Sequence, residues 1–209
     1  MSGLRPGGAE LTRQLLANVQ LQPGDSVLDL GCGKGESLSL LRKEYHCCPT
    51  GLEPNPEHRT AAEAANPGIP VLEGRAESLP FPEQSFQLVL AECVLSLCEP
   101  VETALSEIKR VLLPGGTLLL SDVYARKQPL SGGCGMLRQL YSLPQLESFL
   151  QQAGFSIRKT ENANAELLQM LGQLILEKGP EEAYACLGLD ACALKQSSPG
   201  YILITAEAI

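Results

Sequence analysis

Seven short apolar runs, separated by stretches with helical spacing, constrain this 209-residue chain more than any other feature. The runs fall at Ser26–Leu30, Thr50–Glu53, Ile69–Leu72, Phe86–Ala91, Thr117–Val123, Phe155–Thr160 and Tyr201–Ala206, and each has strand length. Around them the spacing predicts helices. Leu11–Val19 comes first, then Gly35–Tyr45 with Leu38, Leu41 and Tyr45 on one face. Asn55–Ala65 is stopped by Asn66-Pro67-Gly68, Val101–Leu112 is closed by Pro114-Gly115-Gly116, and Leu143–Gln152 ends at Gly154. Strands alternating with helices predict an α/β fold: a doubly wound, mostly parallel seven-stranded sheet with helices on both faces. The pattern is read as one domain. Residues 1–20 form an N-terminal segment and helix, 21–160 a core, 161–199 a helical insertion, and 200–209 the last strand.

Charge narrows the partners. A net charge of −8 and a pI near 4.9 disfavour nucleic acid and anionic membranes, which both select a basic face. No run approaches the ~18 apolar residues of a membrane span, and residues 1–20 lack a signal-peptide core, so a cytoplasmic protein is expected. Eight cysteines stand at 32, 47, 48, 93, 98, 134, 186 and 192, with no C-x-x-C pair. Structural zinc is therefore not expected, and free thiols that fill core space are the plain reading.

The stretch VLDLGCGKG, residues 27–35, sets the chemical question. A glycine turn leading from the first strand into a helix lets a ligand approach the backbone closely, and the helix amides can receive a negative group. A dinucleotide fingerprint would place its third glycine at position 36, which is Glu36; here the spacing is G-x-G-x-G. Asp29, inside the strand, would also repel a pyrophosphate. A ligand with a cationic amine beside the turn accounts for both departures. S-adenosylmethionine, which carries an ammonium, a sulfonium, a carboxylate and an adenosine, is such a ligand.

With these residues in place the chain resembles the class I S-adenosylmethionine-dependent methyltransferases, in their small-molecule branch. VLDLGCGKG is similar to the family's first motif, and Glu53 in GLEPNPE to the acidic residue that ends its second strand. Residues 74–97 (GRAESLPFPEQSFQLVLAECVLSL) resemble the adenine loop and fourth strand, and 107–124 (EIKRVLLPGGTLLLSDVY) the helix, turn and fifth strand. The match spans roughly residues 24–160. It implies a Rossmann-like methyltransferase fold whose sixth and seventh strands form a reverse-paired edge. It also implies S-adenosyl-L-methionine as cofactor, with S-adenosyl-L-homocysteine as product. Asp29, Gly31, Cys32, Gly33 and Gly35 would hold the methionine end, and Glu53 with Pro54 the ribose. Ala76 and Glu77 would meet the adenine, and Ala91, Glu92 and Cys93 would line the floor. Arg75 stands where the family often has Asp, so the adenine amino group must find its acceptor elsewhere; Gln87 likewise replaces an Asp.

Methyl transfer is an in-line displacement that needs a base only when the acceptor arrives protonated. His46 and His58 fall away from the expected methyl position, which leaves Glu92 and Asp122 as candidate carboxylates and Tyr124 behind them. A second reading comes from a resemblance to arsenite methyltransferases in AECVLSLCEP, LLLSDVYARK and residues 132–155. It places a soft-metalloid ligand at Cys134, with Cys186 or Cys192 supplying another thiolate. A third reading is a catalytically silent cofactor-binding protein. Arg5 is placed to meet the cofactor carboxylate or to lie in a loose tail. ELLQMLGQLIL (166–176) forms a lid, a homodimer surface, or a helix packed on the sheet.

Overall fold

The computed structural model describes residues 5–131, 139–186 and 191–209. Helix α1 (Gly8–Leu16) is followed by β1 (Ser26–Leu30), α2 (Glu36–Lys43), β2 (Cys48–Leu52), α3 (Pro56–Ala65), β3 (Val71–Leu72) and β4 (Phe86–Glu92). Then come α4 (Val101–Val111), β5 (Leu112–Ala125), β6 (Leu130–Ser131), β7 (Gln139–Leu140), α5 (Leu143–Gln152) and β8 (Phe155–Asn162). Helices α6 (Asn164–Lys178), α7 (Pro180–Cys186) and α8 (Ala191–Ser197) precede the last strand, β9 (Pro199–Ala208).

The seven-stranded sheet has the order β3-β2-β1-β4-β5-β9-β8. β1 pairs in parallel with β2 and β4, and β2–β3 and β4–β5 are also parallel. β9 runs antiparallel to both β5 and β8, as the family resemblance implied. Because β2 and β3 step to one side of β1 while β4 and β5 step to the other, the topology reverses between β1 and β4. Ligands of open α/β sheets bind at that crevice, beyond the carboxyl ends of the strands.

The apolar runs are continuous because both sheet faces are covered. Leu28, Leu30, Val89, Ala91, Leu118 and Leu120 pack on one face with residues of α4 and α5. Their alternates Val27, Leu88, Leu90, Leu119 and Leu203 pack on the other, beneath Leu11, Leu15 and Leu16 of α1 and Leu167 of α6. The period of two decides the site: Asp29 and Glu92 fall on the α1 face of neighbouring strands, two polar intrusions in an apolar layer.

Local signals explain several boundaries. The Asn55 side chain caps α3 by accepting from the amides of Glu57 and His58, with Pro56 in the first turn. α5 opens on a Ser142–Gln145 capping box. Two expectations needed correction. The first helix runs from Gly8 to Leu16 and not from Leu11 to Val19. The strand after α4 begins at Leu112 and carries the Pro114-Gly115-Gly116 turn within it, with a register shift opposite Phe86–Leu88. The β6–β7 ribbon was not foreseen, since two-residue strands carry no readable period. Within 161–199, α6 buries Leu167 and Leu174 and leaves Leu168 and Leu176 exposed. Among the described residues no helix is long and apolar enough to cross a membrane.

Candidate active site

A cavity of about 450 Å³ opens at the carboxyl ends of β1, β2 and β4. Its wall is built from residues 29–34, 52–55, 74–77 and 92–94, with Arg5 and Ser37 from the α1–α2 side. Sequence-predicted positions Asp29, Gly31, Cys32, Gly33, Glu53, Pro54, Ala76, Glu77, Glu92 and Cys93 are thus brought together. Gly35 and Ala91 are not on this wall. Ala91 is fully buried in the α4-side core, and Gly35 caps α2 against α3. A Cβ on Gly35 would come within 2.4 Å of Asn66 Nδ2.

Three backbone amides of the glycine turn are already used by the protein. Gly31 and Cys32 both donate to the Leu52 carbonyl at 2.8 and 3.1 Å, and Gly33 donates to Glu53 Oε2 at 2.8 Å. They lock the β1 turn to the end of β2 and aim the Glu53 carboxylate. What the glycines supply is space and left-handed geometry. Gly31 has φ 70°, and a Cβ there would sit 2.9 Å from Val94 Cγ2; at Gly33, φ 54°, a Cβ would meet nothing within 4 Å.

Five carboxylates line the cavity, and three of them, Asp29, Glu53 and Glu92, are nearly buried. Glu53 also accepts from the Asn55 amide at 2.9 Å, so each oxygen holds one protein donor and keeps a free acceptor site. Glu92 is the most engaged. Arg5 Nη1 makes a close ion pair with its Oε2, Ser37 Oγ donates at 2.9 Å, and Thr12 Oγ1 donates at 3.0 Å. Burial still raises the Glu92 carboxyl above the usual range, against the opposing pull of Arg5. Asp29 has no comparable help. Its Oδ2 is buried without a hydrogen-bond partner. Desolvation, reinforced by the Glu92 charge, pushes its carboxyl up to about 8.

Thiols also face the cavity. Cys93 sits at φ 58°, an uncommon conformation for a side-chain-bearing residue, and its Sγ lies 3.0 Å from the Tyr201 hydroxyl. Burial pushes Cys93 and Cys98 up to about 12 and raises Cys32 further, so all three are thiols at neutral pH. Asp122 does not reach the cavity wall. Its oxygens accept the Ser96 and Val123 amides at 2.9 and 2.7 Å, which places it as the brace of the turn after β4. Cys134 lies outside the described residues, Cys186 ends α7, and Cys192 is exposed on α8. Among the described residues no group of three or more His, Cys, Asp or Glu is placed to hold a metal.

Sequence reasoning missed the Thr12–Ser37 pair. Thr12 could have been found as a polar residue on the buried stripe of α1. Arg5 was expected at the cofactor; it lines the cavity, directs Nη1 to Glu92 and to Ser37 Oγ, and holds Nη2 buried without a hydrogen-bond partner. His58 is a surface residue as expected, yet it stands at the cavity rim with Nδ1 3.9 Å from Glu53 Oε1. Arg75 is largely exposed and pairs with Glu77 at 3.3 Å, and both line the cavity with Ala76 between them.

Residues 28–120 match the family model for a methyltransferase domain. An uncharacterized methyltransferase of Synechocystis is 33% identical over 170 residues, covering 75% of this chain and 79% of its own. The chain belongs to the class I S-adenosylmethionine-dependent methyltransferases. An O-methyltransferase of Penicillium expansum is 28% identical over 220 residues, covering 96% of this methyltransferase and 78% of its own length. The crystal structure of the [4+2]-cyclase SpnF superposes with a TM-score of 0.79 at 25% identity, covering 95% of this chain and 80% of that one. This methyltransferase spans only 56% of a Bacillus subtilis relative, an uncharacterized methyltransferase that is 33% identical to it.

The wall fits the family's cofactor on its own evidence. The orphaned Asp29 oxygen needs a donor, a cationic amine supplies one, and the open side of Gly33 leaves room for close approach.

Proposed function

We propose that this methyltransferase transfers the methyl group of S-adenosylmethionine to a small-molecule acceptor that arrives at the Glu92–Cys93 end of the cavity. The single observation that carries the assignment is the orphaned Asp29 Oδ2, set in one wall with the pre-aimed Glu53. Asp29 would take the ammonium, the free acceptor sites of Glu53 the two ribose hydroxyls, and the Ala76–Glu77 segment the adenine edge. When bound, the cofactor supplies an electrophilic methyl on a cationic sulfur.

The chain's own contribution is positioning and exclusion of water. Glu92 is already engaged, with Arg5 and Ser37 on its Oε2 and Thr12 on its Oε1, which fixes it as a structural acceptor in the wall. No unencumbered carboxylate or histidine stands beside Cys93 among the described residues. Catalysis therefore rests on alignment of an acceptor that carries its own nucleophilic lone pair, an effect worth up to ~7–11 kcal/mol in favourable cases. Thiolate capture of a soft metalloid gains no support from this wall, whose cysteines are held protonated. Oxygen acceptors come first for trial, because the Penicillium relative is named as an O-methyltransferase and one from Mycolicibacterium smegmatis as a fatty-acid O-methyltransferase.

The test is calorimetric titration with S-adenosylhomocysteine, followed by a methyl-transfer screen against hydroxyl and carboxyl acceptors. Saturable binding with product formation supports the proposal. Binding without turnover across the panel supports the silent cofactor-binding reading in its place, and absence of binding overturns both.

A further inference from the structure

The arrangement of charge in the cavity goes beyond cofactor recognition. Three nearly buried carboxylates share this wall, and among the described residues one guanidinium, that of Arg5, pairs with any of them. Arg5 directs Nη1 to Glu92 and Ser37, while its Nη2, 3.9 Å from Glu36, is buried without a hydrogen-bond partner. Glu53 is held by two backbone amides. Asp29 alone has an oxygen with no donor, in a strand packed on both faces. The groups that act on it are Glu92 of β4, Glu53 of β2, Arg5 of the N-terminal segment and the Cys32 thiol of the glycine turn. Two of these are anions, one is a neutral thiol, and the one cation directs its Nη1 to Glu92 and Ser37 and makes no hydrogen bond to Asp29. An isolated carboxylate at such a place neutralises itself by taking up a proton.

We infer that Asp29 is protonated in the ligand-free protein and surrenders that proton when a ligand's ammonium group arrives, so that cofactor binding is coupled to proton release. This rests on the cofactor reading above. The balance is simple: a carboxylic acid and an ammonium enter, a carboxylate–ammonium pair remains, and one proton passes to the buffer. The carboxyl's position near 8 accords with this geometry and sets the working range. Below about pH 8 a proton competes with the ligand, so affinity falls about tenfold for each unit of acidification. Mild acidification therefore unloads the enzyme.

The experiment is calorimetric titration of S-adenosylhomocysteine into the full chain near neutral pH, in phosphate and in Tris buffer. Their different ionisation enthalpies convert any released proton into a difference in apparent heat. The expected result is close to one proton released, and about tenfold weaker binding one pH unit lower. Two controls isolate Asp29. Methylthioadenosine, which lacks the amine, binds without buffer-dependent heat, and Asp29→Asn binds S-adenosylhomocysteine without proton release. Equal heats in the two buffers with saturable binding overturn the inference and leave the cofactor reading intact. Buffer-dependent heat from methylthioadenosine overturns it equally, and needs no folded variant. Failure of the wild-type chain to bind S-adenosylhomocysteine overturns the cofactor reading and the inference with it.

Discussion

Replacing Arg5 by Gln separates a structural ion pair from a decorative one. The Glu92 side chain is 5% exposed and that of Arg5 is 15% exposed, so the pair is buried on both sides. Breaking such a pair from one side costs about 3–5 kcal/mol, because a charge is left without its partner. Glu92 retains the hydroxyls of Ser37 and Thr12, which places the expected loss near the lower end, about 3 kcal/mol. For a chain of this length that is a fall in Tm of about 6–12 °C. The loss depends on pH, and its sign follows from Glu92. Its carboxyl is already raised in the folded protein, so its stabilising contribution is present in acid and lost as pH rises through the folded value. Without Arg5 that value rises further. Destabilisation should then be slight well below the folded value and largest well above it. The assay is thermal unfolding by circular dichroism at a pH on each side of that value, for Arg5→Gln, Glu92→Gln and the double variant. Coupling of at least ~2 kcal/mol in this cycle is expected. Additivity within about 0.5 kcal/mol, or a Tm change independent of pH, would refute the reasoning.

Other outcomes follow from the same geometry. Gly31→Ala places a Cβ 2.9 Å from Val94 at φ 70°, and should lower stability by about 1–3 kcal/mol in denaturant titration. Glu53→Gln removes a charged acceptor from the ribose position, and should weaken S-adenosylhomocysteine binding about 10–100-fold by calorimetry. A thiol reagent should modify exposed Cys48 and Cys192 within minutes while buried Cys32, Cys47 and Cys98 wait for unfolding; mass spectrometry of labelled peptides checks the order. Leu176→Gln, at a side chain 89% exposed, should shift stability by no more than about 0.5 kcal/mol.

The parts of the fold legible in sequence are those written in short-range pattern. Ser26–Leu30 and Phe86–Ala91 announce strands because their neighbours on both faces are apolar. Asn55-Pro56 and Ser142 announce helix starts because capping involves residues only two or three apart. Asp29 was readable for the opposite reason, as a charge that its strand could not tolerate without purpose. The web around Glu92 was not readable. It joins Arg5, Thr12 and Ser37 across separations of 87, 80 and 55 residues, and no local period records such contacts. The partners of the turn amides were hidden in a similar way. Their glycine spacing is visible, but their commitment to Leu52 and Glu53 depends on how β1 and β2 align.

The position of β9 has a consequence for how the chain is made. β9 lies between β5 and β8 and pairs Thr117 with Glu207, while β8 has no other strand beside it among the described residues. During synthesis β5 emerges about eighty residues ahead of its partner. At ~5–20 residues per second, its hydrogen-bonding edge therefore waits on the order of ten seconds for β9. Through that interval the nascent sheet ends in a long apolar strand, Leu118-Leu119-Leu120, open to any neighbouring chain. Yield in a crowded expression host should accordingly depend more on translation speed and on chaperones that shield strand edges than on the stability of the finished protein.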